Sequence, residues 1–189
     1  MASMTKLALA QSLKQLMAER TLDKITIKEV VARCGVNRQT FYYHFRDIYD
    51  LLDWMFRNEG QEFSKKYPYT VIDDNGYTAI RSLCTYLQEN RDVMINIYNS
   101  LGRELLDRYL CREMETLLTD SLKARADKAG LSQEQLAVLV NFYKHAFVGV
   151  SLDWFQKGMP GETEEIVALY VPILSGTFDS AIKKMANSK

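Results

Sequence analysis

The sequence predicts an all-α protein of about nine helices, an N-terminal three-helix helix-turn-helix head followed by a helical-bundle body. Three observations predict it. Nearly every segment of the 189 residues repeats its apolar side chains at helical rather than alternating spacing. Only three prolines and nine glycines interrupt the chain. Where it is interrupted, Thr, Ser, Asn or Asp stands at the start of the next apolar period and Gly at the end of the last.

The first helix is expected over about Met4–Glu19, with Leu7, Ala10, Leu13, Leu16 and Met17 on one stripe. Thr26 followed by Glu29 is a capping box, flanked by Ile25 and Val30 at the positions of a hydrophobic staple. That second helix stops at Cys34-Gly35, and Asn37 caps a third, with Val36 and Phe41 as its staple. Two short helices around a glycine turn form the helix-turn-helix layout. Asp47 then caps a longer helix, about 48–65, carrying Leu51, Leu52, Met55, Phe56 and Phe63. Residues 67–76 read as a loop from their Pro, Asp, Asn and Gly content. Helices follow at about 77–89, 91–100, 103–129, 132–156 and 162–185. Ser132 with Gln135 makes a second capping box, Gly130 and Gly158 sit at stops, and Pro172 is expected to kink or split the last helix. The expected division is a helix-turn-helix head over 1–47 and a body over 48–189.

Composition limits the function. The chain is 47% apolar and 25% charged, hence globular rather than disordered. Its formal net charge is zero, but the charges are not evenly spread. Residues 1–46 hold eight bases against three acids, a balance of +5, which leaves 16 bases and 21 acids, −5, for the remainder. The neutrality is a cancellation between a basic head and an acidic body. The longest apolar run, 167–174, falls short of the roughly 18–20 residues of a membrane span, so no membrane partner is expected. The first residues lack the apolar core of a signal peptide. Three widely spaced cysteines, Cys34, Cys84 and Cys111, read as reduced thiols of a cytoplasmic protein.

Chemistry concentrates in residues 25–52, ITIKEVVARCGVNRQTFYYHFRDIYDLL. Phe41 and Phe45, four apart, face the core together and leave Arg38, Gln39, Thr40, Tyr42, Tyr43 and His44 outside or at the edges. Tyr hydroxyl and imidazole N–H groups donate to phosphate oxygens. The first turn of a recognition helix reaches base edges, where Arg pairs with guanine, Gln with adenine, and a Thr methyl packs on thymine.

The segment resembles the DNA-binding head of the TetR family of bacterial transcription regulators. The resemblance rests on the capped apolar-Thr-apolar helix, Ala32-Arg33-Cys34-Gly35-Val36, Phe41-Tyr42 with His44-Phe45, and Leu51-Leu52, in order over roughly residues 4–56. It implies an all-α homodimer whose last two long helices form the dimer bundle, and a cytoplasmic regulator, such as a repressor, of a palindromic double-stranded DNA operator. The body would hold an unknown small-molecule or protein effector that shifts the spacing of the heads. Carried over residue by residue, Thr26 caps the second helix and touches phosphate. Arg38, Gln39, Thr40 and Tyr43 lie nearest the bases, and Tyr42 and His44 on the backbone. Where many members place a phosphate-binding lysine this chain has Ile48, and Arg46 is the substitute at hand. Residues 47–52 and 154–159 are similar to a branch that includes regulators of dihydroxyacetone kinase operons, in which a kinase-like protein can be the effector.

In the body, Tyr86, Met94, Tyr98, Tyr109, Met114 and Phe142 are the candidate effector-pocket residues, on central helices and of the type that lines apolar pockets with a few polar tips. The helix over 132–156 is apolar on two faces, one carrying Leu139, Tyr143, Phe147, Val150 and Trp154 and the other Val138, Phe142, Gly149 and Leu152. Such a helix is buried on two sides. Tyr143, Phe147, Val150 and Trp154 are the candidate dimer interface, and His145 reads as a packed or interface residue. Apolar content around Trp54, Phe56 and 67–69 would suit a docked protein. No Gly-rich phosphate loop, G-x-S-x-G, H-E-x-x-H or paired-cysteine spacing is present. The two histidines, His44 and His145, are far apart. The expectation is therefore no enzyme, no catalytic residue, no metal and no cofactor, with carboxylates such as Glu113 and Glu115 on solvated helix faces.

Overall fold

The computed structural model describes residues 4–66, 77–100, 103–174 and 176–187, so the loop expected over 67–76 lies outside the described residues. The helices are α1 (Met4–Glu19), α2 (Ile27–Cys34), α3 (Arg38–His44), α4 (Ile48–Lys66), α5 (Tyr77–Glu89), α6 (Arg91–Tyr98), α7 (Arg103–Lys128), α8 (Gln133–Gln156), α9 (Thr163–Leu174) and α10 (Thr177–Ala186). A 3₁₀ turn, Leu22–Lys24, joins α1 to α2, and no strand occurs among the described residues. The nine expected helices are present, the last of them as two. The chain divides into two compact units, Met1–Glu62 with Asn90–Tyr109, and Phe63–Glu89 with Leu110–Lys189.

In the first unit α1 packs on both α2 and α6. Serving two neighbours widens its buried face beyond one stripe. Leu9, Ala10, Ser12, Leu13, Leu16 and Met17 are buried, while Leu7, expected on the apolar stripe, is exposed. The Asn96 side-chain amide donates to the Met17 carbonyl at 2.8 Å, satisfying one of the carbonyls that the end of α1 leaves without a helical partner. Lys14 pairs with Glu59 at 2.6 Å, and the end of α1 is tied to α2 by Arg33–Glu19 and Arg20–Glu29, both at 2.7 Å. The Thr26 hydroxyl accepts from the Glu29 N–H, and the Glu29 carboxylate accepts from the Thr26 N–H at 2.9 Å, completing the capping box. Ile25 and Val30 are buried beside it. Gly35 closes α2 at φ +74°, the left-handed region in which a side chain is strained.

In the second unit Leu118, Leu122, Ala126, Leu131, Leu139, Val140 and Ile182 form a buried cluster contributed by α7, α8, α10 and the turn between α7 and α8. The Ser132–Gln135 capping box opens α8. Helix α5 is fastened to α9 through Tyr77 and Arg81, which donate to Glu164 at 3.0 and 2.6 Å. At the far end Gln88 donates to the Gly161 carbonyl at 2.7 Å and pairs with Thr163. Pro172 does not end α9, which runs two residues past it. The break falls where Gly176, at φ +73°, starts α10. The stretch Thr163–Ala186 is long and apolar enough by composition to cross a bilayer, contrary to the expectation from run length. It is divided at Gly176 into two helices, α9 and α10.

Candidate nucleic-acid interface and body surfaces

Helix α3 begins at Asn37, whose side-chain oxygen accepts from the Thr40 N–H at 2.8 Å. Phe41 and Phe45 are buried, and with one face of the helix so fixed the rest is set by its pitch. Gln39 and Tyr43, four apart, project from the side opposite the core, and the Tyr43 side chain is 84% exposed. Arg38 and Tyr42 share one edge, where the guanidinium lies 3.5 Å from the phenol oxygen as a donor. Tyr42 is 52% exposed, with its ring edge-on to Phe41. Thr40 and His44 share the other edge, half-buried, and the His44 ring meets Tyr43 in a T-shaped contact at 4.9 Å.

Two expected contacts are already engaged within the chain. The Thr40 hydroxyl donates to the Asn37 side chain at 3.0 Å, which leaves its methyl and its lone pairs for a base. The Thr26 hydroxyl donates to Glu29 at 2.8 Å, so toward a phosphate it has no proton to give. Arg46 is nearly fully exposed but lies 3.7 Å from the Asp50 carboxylate, which also accepts from the Arg46 N–H at 3.0 Å. Asp47 caps α4 by accepting from the Asp50 N–H at 2.8 Å. Two acids, Asp47 and Asp50, thus flank Ile48, where the resemblance leads one to expect a lysine. A residue missed from the sequence is Lys6, whose ammonium lies over Phe45 at 5.4 Å and Trp54 at 5.8 Å. No sequence pattern pairs those three.

Of the candidate pocket residues, Met94, Tyr98 and Tyr109 are buried in the first unit, where Tyr109 stacks on Phe56 at 4.3 Å. In the second unit Met114 is buried, Tyr86 meets Phe63 edge-on, and Phe142 is 68% exposed. Phe56 is fully buried and Trp54 packs against Phe45, so neither offers the apolar docking surface the sequence suggested; residues 67–69 lie outside the described residues. Glu113 is not a solvated carboxylate: burial raises its pKa against the opposing pull of Arg112. Glu115 is exposed and pairs with Lys144 at 3.0 Å.

Helix α8 presents its faces as follows. Tyr143 packs on Phe178 of α10 at 4.4 Å, and Phe147 is half-buried against the core cluster. Trp154 is half-buried, its indole N–H donating to the Pro160 carbonyl at 2.9 Å. Val150, Val138, Phe142, His145 and Gly149 face outward, and on α9 Leu169 and Ile173 are 69% and 64% exposed. Between α5, α8 and α9 lies a hollow of about 510 Å³. None of the six candidate pocket residues lines it; Phe147, Val150 and Trp154 do. What could have hinted at it is Ala146, a small residue among large ones on α8.

A capped α2, a glycine turn and an α3 that buries two phenylalanines while exposing Arg, Gln and two Tyr define a helix-turn-helix protein of the nucleic-acid-binding class. The chain belongs to the tetR family of bacterial regulatory proteins: residues 11–55 match that family's N-terminal model, and residues 74–176 match a transcriptional regulator C-terminal region, more than half of the chain. It is a TetR-family DNA-binding transcriptional regulator. In sequence it is similar to the HTH-type dhaKLM operon transcriptional activator DhaS of Lactococcus lactis subsp. lactis (strain IL1403), 28% identical over 92 residues. That match spans 46% of this chain and 45% of the relative, about half the length of each. Its fold is similar to a solved structure of the dihydroxyacetone kinase operon activator DhaS, with a TM-score of 0.73 at 19% identity over 94% of this chain and 97% of that one. It is also similar to the fatty acid degradation regulator FadR from Bacillus halodurans, with a TM-score of 0.72 at 16% identity over 94% and 97%.

Proposed function

We propose that the chain acts as a homodimer on a palindromic operator, with effector binding in the body modulating its affinity for DNA. The observation that carries the DNA reading is α3, where Arg38, Gln39, Tyr42 and Tyr43 are exposed on a helix whose opposite face is locked by Phe41 and Phe45. Arg38, Gln39, Thr40 and Tyr43 are assigned to bases, and Tyr42, His44 and Arg46 to phosphates, while Thr26, whose hydroxyl and N–H are both held by Glu29, acts as the cap of α2. One seven-residue helix reaches few base pairs, so two copies reading half-sites one helical turn or a multiple apart are needed for specificity. The second copy is assigned to the outward apolar residues of α8 and α9, Val138, Phe142, Val150, Leu169 and Ile173. The protein works by binding, not by catalysis.

Fluorescence anisotropy with an operator duplex and a scrambled duplex tests the DNA reading. Tyr42→Phe is expected to weaken binding to both alike, because it removes a phosphate contact. Arg38→Ala is expected to cost about 1–3 kcal/mol on the operator alone. Wild-type behaviour of both variants would remove α3 from the interface.

A second reading keeps the head and replaces the small molecule by a kinase-like protein that docks on the body. It is favoured by the sequence similarity to DhaS over 92 residues. Affinity capture of the tagged chain from its own cells distinguishes the two. A stoichiometric protein partner supports docking, whereas a co-purifying small molecule with no protein sinks it.

A further inference from the structure

We propose that two copies of the chain meet through α8, with Phe142 of each copy seated over the partner's Gly149. The inference rests on the homodimer reading above and names the contact that would hold the pair together. Gly149 stands well inside a helix of 24 residues, where glycine is the least favourable residue after proline. Its backbone does not require a glycine, since its φ is not among the positive ones. Packing within the chain does not require one either: a Cβ added there would meet no atom of the described residues within 4 Å. A mid-helix glycine with neither reason inside the chain fits a close approach from outside it.

The complement lies on the same face of the same helix. Phe142 precedes Gly149 by seven residues, two turns of α8, which is about 10 Å along the axis and roughly 20° around it. Its ring is 68% exposed and meets Tyr143 edge-on, so most of it is left for a partner. A protruding ring and a position without a side chain, two turns apart, are self-complementary under a two-fold axis. When Phe142 of one copy reaches the partner's Gly149, the partner's Phe142 reaches Gly149 of the first. The two α8 helices then run antiparallel, with His145 and Ala146, both exposed in the single chain, beside the axis.

Charge and area both suit a second copy. From Leu136 to Leu152, α8 carries no carboxylate and no guanidinium, and its one ammonium, Lys144, is engaged by Glu115 at 3.0 Å. A face that meets itself across an axis therefore brings no like charges together. The outward apolar side chains of α8 and α9 together expose on the order of 500 Å², which matches the apolar share of the roughly 800 Å² per partner that a stable pair buries.

Sedimentation velocity of the full chain without DNA tests the contact on two variants and their mixture. Phe142→Ala leaves both gaps empty and Gly149→Phe sets two rings against each other, so each is expected to weaken dimerisation at least ~10-fold. Mixed in equal amounts, the two variants are expected to dimerise within a few-fold of wild type. One chain then brings a ring to both positions and the other to neither, so every contact holds a single ring. Both sites are exposed in the single chain, and circular dichroism of the same samples is expected to show unchanged helix content. Gly149→Ala, which favours the helix itself, is expected to weaken the dimer by a smaller factor. Wild-type dimerisation of both single variants, tighter dimerisation of Gly149→Ala, or variants that fail alone and equally when mixed would each overturn the contact while the homodimer stands. Recovery of Phe142→Ala by Ala146→Phe would also overturn it, since the gap would then lie a turn away. A wild-type chain that sediments as a monomer sinks the homodimer reading and this contact with it.

Discussion

Phe41 and Tyr43 stand two positions apart on α3 and do opposite work, because that spacing carries a side chain to the other side of a helix. Phe41 is fully buried against the head, and Tyr43 is 84% exposed with the His44 ring edge-on to it. Phe41→Ala is therefore expected to destabilise the head by about 3–5 kcal/mol. Tyr43→Ala should leave thermal melting within about 0.5 kcal/mol of wild type and still lower operator affinity. Melting followed by circular dichroism, beside anisotropy on the same samples, separates the two. If Tyr43→Ala bound the operator like wild type, the outward side of α3 would not be the reading side. Asp50 gives a change of opposite sign. Its carboxylate lies 3.7 Å from Arg46 and competes with a phosphate for that guanidinium. Asp50→Asn keeps an acceptor for the Arg46 N–H but removes the charge. Tighter binding to operator and scrambled duplex alike, with a steeper salt dependence, is the expected result. Unchanged binding at low salt would mean that Arg46 does not approach the backbone.

At the scale of elements, the start of α2 is where sequence and structure agree most closely, since every group that caps it is within four residues of it. Thr26→Ala removes an N-cap and should cost about 1 kcal/mol. Glu29, the other half of the box, has its carboxyl held below the ordinary 4.5, first by the Thr26 hydroxyl, then by the Thr26 N–H, and further by Arg20. A carboxyl depressed in the folded state binds its proton more readily when unfolded. Its contribution is therefore present above pH 4.5 and is lost as pH falls through the lower, folded value. Glu29→Gln keeps the cap geometry without the titration, so its stability should fall less steeply than wild type below about pH 4.5. Parallel acid melts check this; identical slopes would show that the box titrates no differently folded and unfolded. Such local devices, including Asn37, Asp47 and the Ser132–Gln135 box, were legible because helix ends are decided by neighbours in the chain. Helix α8 was legible only as a helix apolar on two faces. Which face turns inward depends on α10, whose Phe178 takes Tyr143, and no periodicity within α8 encodes that. For the same reason a hollow lined from three helices left no mark beyond Ala146, while Met94 and Tyr109, expected at a pocket from their residue type on central helices, are buried in the first unit.

At the scale of the molecule, the segregation of charge, +5 in residues 1–46 and −5 beyond, lets one end of the chain approach phosphate while the other is repelled. Five net charges on one short head give weak, unspecific binding, and in the proposed homodimer affinity comes from joining two heads. Linking two half-site contacts makes the second intramolecular and multiplies affinity by roughly 10²–10⁴. The outward residues of α8 and α9 are the surface that can do it. Phe142 of α8 and Leu169 of α9 are among the most exposed large apolar side chains of the described residues. Phe142→Glu or Leu169→Glu puts a charge that would have to be desolvated at the centre of an interface. Neither touches the core of the single chain, so secondary structure is expected to survive in each. Sedimentation velocity should then report a monomer. Affinity for a full palindrome should fall by about 10²-fold or more, while affinity for an isolated half-site changes little. The half-site control makes the result decisive, since a damaged head would weaken both duplexes together. A glutamate variant that remains dimeric and binds the palindrome normally would place the contact between copies elsewhere on the chain.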